Sequence, residues 1–184
     1  MFFPRTSALL ACLACSLSAN ASDFTVSSDS FENCATLKQT QVFNGFGCAG
    51  RNLSPALAWK GAPKGTRSFA VTVYDPDAPT GSGWWHWVVI DLPASTHSLP
   101  EGAGSVNGQM LPAGAVQVRS DYGTAAFGGA CPPPGDRPHR YVVTVYALKV
   151  DHLDAPRDAS PALIGFMIHG TTLGSASMQA LYGR

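Results

Sequence analysis

Short apolar segments rich in β-branched and aromatic residues, each ended by Gly, Pro, Asn or Asp, run through the sequence and indicate β-strands. Residues 68–74 (SFAVTVY) alternate, residues 85–92 (WHWVVIDL) form the nearly continuous apolar run of a central strand, and residues 140–149 (RYVVTVYALK) are the longest candidate. Shorter strands are predicted at 24–27, 57–59, 115–119 and 175–182. Helical periodicity is scarce, so the pattern predicts a mainly β domain of two packed sheets with few helices.

Helices are predicted in only two places. One helix is expected at 160–168, where Ser160 can cap the first turn and a proline follows it. Residues 151–159 could add a second short turn of helix. Residues 96–114 and 120–138 are long and irregular, so we expect them to lie on the surface or to form a site.

The composition excludes some classes of protein. The chain has 184 residues, a length typical of one domain, and 45% of them are apolar, which is enough for a core. Charged residues make up 13%, about half of the roughly 25% usual in globular domains, and the formal net charge is zero. A nucleic-acid-binding protein needs a basic surface, so this class is excluded.

The first 21 residues are predicted to be a secretory signal peptide. Arg5 precedes a small, apolar stretch, and Ala19-Asn20-Ala21 is an A-x-A cleavage signature. We expect cleavage after Ala21, which would leave residues 22–184 as a periplasmic or secreted domain. The apolar stretch is too short to span a bilayer, and no other candidate membrane segment follows it.

A lipoprotein signal ending at Cys12 is a competing interpretation of the leader. Export also changes how the remaining cysteines are interpreted. After cleavage Cys34, Cys48 and Cys131 remain, an odd number in an oxidising compartment. One disulfide and one free thiol is the simplest outcome, and counting alone leaves the pairing open. The mature chain has no C-x-x-C, which excludes a zinc ribbon or a thioredoxin motif.

The densest group of chemistry-bearing residues follows the predicted strand at 68–74. Asp75 and Asp77 lie in a D-P-D-A-P segment whose prolines fix the path of the chain. Glycines then return the chain to the strand that contains His86, close to Asp75. Side chains alternate along a strand, which predicts His86, Val88 and Ile90 on one face and Trp85 and Trp87 on the other. In isolation, two acids that cap a turn and a satisfied core histidine are the simpler explanation.

The second group lies in the loop and strand at 123–141 (GTAAFGGACPPPGDRPHRY). Its paired glycines allow unusual backbone angles or close approach to a ligand, and its three consecutive prolines form a stiff wall. His139 and Tyr141 are expected on one face of the following strand, with Arg140 pointing away. Such a loop can direct several backbone N–H groups towards an anion, although a surface loop without a ligand fits it as well.

Two His, an Asp and a Tyr suit three kinds of site. Asp75, His86 and His139 could ligate a metal, but their spacing matches no standard motif. A serine hydrolase of the nucleophile-elbow type would carry G-x-S-x-G, which is absent. The third kind is a small anion pocket, in which imidazoles and a Tyr hydroxyl donate to a phosphate or carboxylate while aromatic and Pro walls bury the rest.

Together, the two groups resemble the phosphatidylethanolamine-binding protein family, and most closely its bacterial, Raf-kinase-inhibitor-like branch. The first motif is D-P-D-A-P followed by a tryptophan-flanked His, at 75–87, and the second is G-x-x-P-P…H-R-Y, at 129–141. The segments FNGFGC at 43–48, NLSP at 52–55 and ALYGR at 180–184 are also similar to bacterial members. The resemblance therefore covers essentially all of the mature chain.

The resemblance implies a β-sandwich of two antiparallel sheets with one or two short helices and a small cavity that binds phosphate, phosphoryl head groups, acetate or similar anions. The implied lining is Asp75, Pro79, Trp84, His86, Gly129, Pro132, Pro133, His139 and Tyr141. In this arrangement His86 and His139 would donate to the anion. Asp75 would hold an imidazole in the donating tautomer.

In exported relatives a cysteine in each of two loops resembles Cys48 and Cys131, which implies a disulfide between them and a free Cys34. The resemblance further implies a non-enzymatic binding protein for a small phosphate- or carboxylate-bearing ligand, without a cofactor. Two alternatives stay open. One is an inhibitor of a protease or of another protein partner, acting through surface loops, and the other is a metal-dependent or Ser hydrolase. The sequence also leaves open whether the chain forms a homodimer.

Overall fold

The predicted strands form, and they assemble into two sheets and a separate hairpin. The computed structural model describes residues 24–184, so the predicted leader at 1–21 lies outside the described residues. Within that part of the chain the strands are β1 (Thr25–Ser27), β2 (Asn44–Gly45), β3 (Cys48–Ala49), β4 (Leu57–Lys60), β5 (Ser68–Asp75), β6 (Trp84–Pro93), β7 (Ser98–Leu99), β8 (Val116–Gln117), β9 (His139–Leu148) and β10 (Thr172–Tyr182). A short 3-10 helix spans Gln39–Gln41, and an α-helix, α1, spans Pro161–Thr171. Every predicted strand segment overlaps one of these strands, whereas β2, β3 and β7 lie outside the predicted segments.

The two larger sheets pack face to face around the main core. Five strands form an antiparallel sheet in the order β10-β9-β5-β6-β8, three form a sheet in the order β1-β4-β7, and β2 pairs with β3. Trp59 on β4 and Leu99 on β7 belong to the same buried cluster as Phe69 and Val71 on β5. Burying each of these side chains contributes roughly 1.5–3 kcal/mol or more. The predicted mainly β, two-sheet architecture is confirmed.

Helix α1 covers the other face of the five-stranded sheet. Ile164 and Ile168 of the helix belong to a second buried cluster with Val88 of β6. Ser160 caps the helix as predicted, because its side-chain oxygen accepts a hydrogen bond of 3.2 Å from the backbone N–H of Leu163. No helix within residues 24–184 has the length and apolar character needed to cross a bilayer.

The second helical turn, expected at 151–159, does not form, and that prediction is wrong. Leu153 is buried in the second cluster, and its backbone N–H donates to the Asp91 carboxylate at 2.9 Å instead of to a helical carbonyl. Pro156 has no N–H to donate within a helix. The segment therefore has no regular secondary structure, and the hydrogen bond to Asp91 attaches it to β6.

A β-bulge at His86 breaks the alternation of β6. Trp85 and Trp87 pair with consecutive residues of β5, so His86 between them has no partner there. Trp87 lies in the main core, whereas Trp85 packs on the helix side with Val88 and Ile90. The predicted faces are wrong because the extra residue shifts the alternation by one position. His86 consequently lies on the same side of the sheet as Trp87.

A second bulge lies near the end of β6. Val89 and Leu92 both belong to the main core although they are three residues apart. The register with β5 shifts between them, and Asp91 adopts a left-handed φ of +58°. The two bulges change which residues of the strand face each core.

Candidate functional site

Three strand ends meet at one edge of the five-stranded sheet. β5 ends at Asp75, which pairs with Trp84 at the start of β6, and β9 begins at His139 on the other side of β5. In an antiparallel sheet the end of one strand lies beside the start of its neighbour. The loop at 76–83 and the loop that leads into β9 therefore lie side by side.

A cavity of about 220 Å³ opens between these loops. Its lining includes every predicted ligand-binding residue except Gly129: Asp75, Pro79, Trp84, His86, Pro132, Pro133, His139 and Tyr141. The two histidines, Asp75 and Tyr141 are only 2–3% exposed, whereas Pro79 and Pro133 are exposed. The cavity therefore has a polar inner end and an apolar mouth.

Both carboxylate oxygens of Asp75 accept hydrogen bonds. Oδ1 accepts from the backbone N–H groups of Asp77 and Ala78, at 2.8 and 3.1 Å, and so closes the turn after β5. Oδ2 lies 2.8 Å from Nδ1 of His139, which donates to it. Asp75 thus fixes both the path of the loop and the orientation of the His139 ring.

The other ring nitrogen of His139 also has a partner. Nε2 lies 3.3 Å from Oδ2 of Asp136, on the turn before β9. Both nitrogens of this imidazole therefore lie beside carboxylate oxygens, and a ligand could reach Nε2 only after Asp136 moved away. In the described arrangement His139 acts by positioning Asp75.

The His86 ring is held from the opposite wall. Its Nδ1 lies 2.7 Å from the carbonyl oxygen of Gly128, and the N–H of Gly128 donates to the His86 carbonyl at 2.9 Å. Burial lowers the pKa of His86 below its ordinary value of 6.5, although the Gly128 carbonyl and the charge of Asp75 act in the opposite direction. The neutral ring donates from Nδ1, which leaves Nε2 as the atom available to a ligand.

Asp77 connects the loop at 76–83 to β9. Its carboxylate accepts from Nε and one terminal nitrogen of Arg140, at 2.8 and 2.9 Å, and from Arg137 at 3.1 Å. The hydrogen bond from Arg140 holds the pKa of Asp77 well below its usual range. Both guanidinium groups are largely exposed, so each ion pair contributes little to stability and serves mainly to fix the loop.

Two tyrosine hydroxyls near the cavity differ in their partners. The Tyr122 hydroxyl donates to the carbonyl of Gly129 at 2.7 Å, whereas the Tyr141 hydroxyl is buried and has no hydrogen-bond partner. Burial raises the pKa of both groups, with the charge of Asp75 acting in the same direction, so both hydroxyls remain protonated near neutral pH. An unsatisfied buried hydroxyl costs roughly 1–3 kcal/mol. A ligand that accepts from Tyr141 would remove this cost.

Gly129 lies behind the cavity wall, so the prediction that it lines the cavity is wrong. Its N–H donates to Oδ1 of Asn52 at 2.7 Å. A Cβ at this position would lie 2.4 Å from the carbonyl oxygen of Gln41. This close approach of two backbones, rather than contact with the cavity, requires glycine here.

Five further residues line the cavity: Phe46, Ala78, Thr80, Tyr122 and Cys131. Three of them adjoin a predicted lining residue along the chain, which is the signal that could have found them. Tyr122 lies in the irregular stretch at 120–138 and stacks on Phe46 with ring centroids 5.9 Å apart. Phe46 arrives from the distant turn between β2 and β3, and no local pattern indicates its position.

The β2–β3 hairpin is attached to the cavity wall by two links. The implied disulfide between Cys48 and Cys131 is present, with Cα atoms 6.0 Å apart, and Cys34 is a free, exposed thiol as expected. The Arg184 side chain donates to the carbonyls of Pro132, at 2.6 Å, and of Phe46, at 3.2 Å. Both links connect the hairpin to the loop before β9.

The metal interpretation receives no supporting geometry. In residues 24–184 no group of three or more His, Cys, Asp or Glu side chains is arranged so that it could hold a metal ion. Nε2 of His86 is free to ligate, but both nitrogens of His139 lie against carboxylate oxygens.

Comparison with known proteins agrees with the motif evidence. A sequence model described as phosphatidylethanolamine-binding protein matches residues 27–183. The chain belongs to the phosphatidylethanolamine-binding protein family. Among its curated relatives, the Escherichia coli (strain K12) protein YbcL is 51% identical over 165 residues, 90% of each chain. YbhB from the same organism is 52% identical over 146 residues, which are 79% of this chain and 91% of YbhB.

Solved structures of family members share the fold. The crystal structure of E. coli YbcL, described as a new member of the mammalian PEBP family, superposes with a TM-score of 0.86 at 50% identity and covers 88% of this chain and 98% of YbcL. A phosphatidylethanolamine-binding protein from Plasmodium vivax matches with a TM-score of 0.54 at 12% identity, over 88% of this chain and 85% of that protein. The second match extends the fold, but not the activity, to distant family members.

Proposed function

We propose that this family member is a non-enzymatic binding protein that holds a phosphate, a phosphoryl head group or a carboxylate in the cavity. The observation that carries the proposal is the Tyr141 hydroxyl, which is buried in the lining without a partner. The indole Nε1 of Trp84, also in the lining, is buried and makes only a weak hydrogen bond, to the Tyr122 hydroxyl. An indole N–H can only donate, and a tyrosine hydroxyl protonated at neutral pH can donate, so both favour a ligand rich in acceptor oxygens.

His86 would complete the recognition of the anion. Because Nδ1 donates to Gly128, the neutral ring can accept at Nε2 from a protonated phosphate oxygen. If the ring takes up a proton, the same atom donates to a fully ionised group. The negative charge of Asp75 would oppose an anion, and the hydrogen bonds from His139 and two backbone N–H groups reduce this opposition.

Export is part of the proposal and rests on different evidence. The Cys48–Cys131 disulfide suits an oxidising compartment. The A-x-A signature before Ser22 gives a defined cleavage point. Mass spectrometry of the protein expressed in a Gram-negative host is expected to find it in the periplasmic or extracellular fraction with Ser22 as its first residue. An uncleaved chain, or one modified at Cys12, would refute this assignment.

Tyr141→Phe tests the binding proposal directly, with Tyr146→Phe as the matched control on the same strand. Removing an unpartnered buried hydroxyl should leave the ligand-free protein as stable or more stable, by up to about 1 kcal/mol. It should also weaken the binding of phosphate or phosphorylethanolamine by about tenfold or more, as measured by titration calorimetry, since hydrogen bonds to charged groups contribute roughly 1.5–3 kcal/mol. Tyr146→Phe should leave affinity unchanged.

Two results would contradict the proposal. One is the absence of any NMR shift at His86 and Tyr141 when phosphate, acetate or phosphorylethanolamine is added. The other is turnover of a phosphate or carboxylate ester that Tyr141→Phe or a His86 variant abolishes, which would support the hydrolase alternative. If His86 variants retain inhibition of a partner protein but lose anion binding, the loops rather than the cavity carry that interaction.

A further inference from the structure

Aromatic rings line one side of the cavity from its interior to solvent. Tyr122, in the middle, contacts His86 at the inner end, with ring centroids 5.5 Å apart, and Trp84 edge-on at 5.4 Å. On its outer side it stacks on Phe46 at 5.9 Å, with an angle of 18° between the rings. Phe43 packs behind both rings, 4.3 Å from Tyr122 and 5.4 Å from Phe46. We call Trp84, Tyr122 and Phe46 the aromatic wall.

Phe46 at the outer end is exposed and yet held in place. Its side chain is 69% exposed, which is a cost unless something covers the ring. Its backbone has a left-handed φ of +52°, and its carbonyl accepts from Arg184. The neighbouring Cys48 is bonded to Cys131. The ring is therefore presented at the mouth by a fixed hairpin, not by a free loop.

The cavity is also larger than a bare anion requires. Its volume of about 220 Å³ is many times the roughly 10–15 Å³ that one water site needs by a comparable measure. The groups that can bind an anion, His86 and Tyr141, lie at the inner end, and the space towards the mouth is bounded by rings and prolines. A tetrahedral phosphate would fill only the inner end.

We propose that the ligand is an aromatic anion, whose phosphate or carboxylate lies at His86 and Tyr141 and whose ring packs against the aromatic wall. This inference rests on the proposed anion-binding function and names the class of molecule that the same site takes. A planar ring matches the wall because aromatic pairs prefer offset-stacked or edge-to-face contacts with centroids 4.5–7 Å apart. A ring that covers Phe46 would also remove its exposed surface from water. An alkyl chain would gain the second effect but not the first.

The test compares phenyl phosphate, cyclohexyl phosphate and inorganic phosphate by titration calorimetry at one pH and salt concentration. Phenyl phosphate is expected to bind at least fivefold more tightly than either of the others. Phe46→Leu, which keeps apolar bulk and removes the ring, should weaken phenyl phosphate by about 2- to 12-fold, the range measured for aromatic pairs. The affinity for inorganic phosphate should stay within twofold of the wild-type value. Phe46→Tyr should retain the preference for phenyl phosphate.

Phe166→Leu is the matched control. Phe166 is a 77% exposed phenylalanine on α1, on the far face of the sheet, so its replacement should change no affinity. Equal affinity for phenyl phosphate and cyclohexyl phosphate would overturn the inference. An equal loss of affinity for phenyl phosphate and inorganic phosphate in Phe46→Leu would overturn it as well. In both of these cases phosphate still binds and the proposed function stands. If none of the three compounds binds, the proposed function fails and the inference fails with it.

Discussion

At the scale of single residues, His86 combines a structural role with a proposed binding role. Its ring is buried between Tyr122 and Tyr141 and is fixed through Nδ1 by the Gly128 carbonyl. Burial favours the neutral ring and so lowers its pKa. The same burial strengthens any hydrogen bond that Nε2 makes with a ligand, because little water competes for it.

The lowered pKa of His86 predicts how stability depends on pH. Below about pH 6.5 the unfolded chain takes up a proton at His86 that the folded protein resists, so protons favour unfolding. The free energy of unfolding should therefore fall as the pH drops through 6.5, with a slope of up to about 1.4 kcal/mol per pH unit from this residue. Chemical denaturation at a series of pH values would measure it. In His86→Asn this part of the slope should disappear. If the free energy of unfolding of this variant depends on pH as steeply as that of the wild type, the prediction is contradicted.

Asp75→Asn should change the tautomer of His139. The amide oxygen can still accept from the Asp77 and Ala78 N–H groups, but its NH₂ group would then face Nδ1 of His139. The ring proton should move to Nε2, where Asp136 accepts it. We expect a stability loss of roughly 1.5–3 kcal/mol, as for other hydrogen bonds to charged groups, and exchanged ¹⁵N shifts of the two ring nitrogens in NMR spectra. An unchanged ¹⁵N pattern would show that Asp75 does not set the tautomer.

At the scale of elements, the turn between β5 and β6 depends on one crowded glycine. Gly83 has a φ of +68°, and a Cβ there would lie 2.1 Å from the Tyr74 hydroxyl and 2.7 Å from the Asp75 carbonyl oxygen. Gly81 in the same turn has a φ of +82°, but nothing lies within 4 Å of its Cβ position. The two residues share the backbone requirement and differ only in the space around them.

This difference gives a matched pair of variants. Gly81→Ala should cost about 1–2 kcal/mol, because a left-handed φ is unfavourable for a residue with a Cβ. Gly83→Ala should cost a further 1–3 kcal/mol from overpacking, and it should displace Asp75 from the cavity. Thermal and denaturant unfolding would measure the stabilities, and His139 NMR shifts would report on Asp75. Equal losses for the two variants would show that the turn can relax around the extra methyl group.

The elements could be predicted from the sequence where the signal was local. The apolar run at 85–92 and the cap at Ser160 each specify an element through neighbouring residues, and both elements formed. The bulge at His86 could not be predicted, because it is defined by the register with β5 rather than by the composition of β6. Gly129 was misplaced for the same reason, since the chain that crowds it lies about 90 positions earlier in the sequence.

The site was predicted in part, for a related reason. Two loops with recognisable motifs supplied nearly all of the polar inner end. The aromatic wall was incomplete, because Phe46 and Tyr122 reach the cavity from segments whose positions depend on tertiary contacts. Cys131 was available as a link between these segments, but only the resemblance to exported relatives connected it to Cys48.

At the scale of the whole molecule, the disulfide joins the β2–β3 hairpin to the loop before β9 across a sequence separation of 83 residues. In the chain-entropy description, closing a loop of this length stabilises the fold by about 4–5 kcal/mol, by restricting the unfolded chain. The same bond fixes the hairpin that carries Phe46. Stability and the shape of the cavity mouth are thus coupled through a single covalent link.

Reducing agents should therefore lower the melting temperature and loosen the aromatic wall together. The double variant Cys48→Ser with Cys131→Ser should reproduce both effects, and Cys34→Ser should reproduce neither, since Cys34 is a free, exposed thiol. Calorimetry measures the first effect, and the NMR line widths of Phe46 measure the second. A double variant with the melting temperature of the wild type would refute the stabilising role of the bond.

The two bulges in β6 have a consequence for how this protein tolerates sequence change. The inward-facing positions, His86, Trp87, Val89 and Leu92, follow no constant spacing. In a profile of tolerated substitutions along the strand, the alternation of inward-facing and outward-facing positions should therefore shift by one residue at His86 and return to its original phase after Asp91. Removing a single residue between these points would exchange the inner and outer faces of the segment. Evolutionary drift in this strand is consequently confined to replacements, and changes of length must be absorbed by the loops on either side.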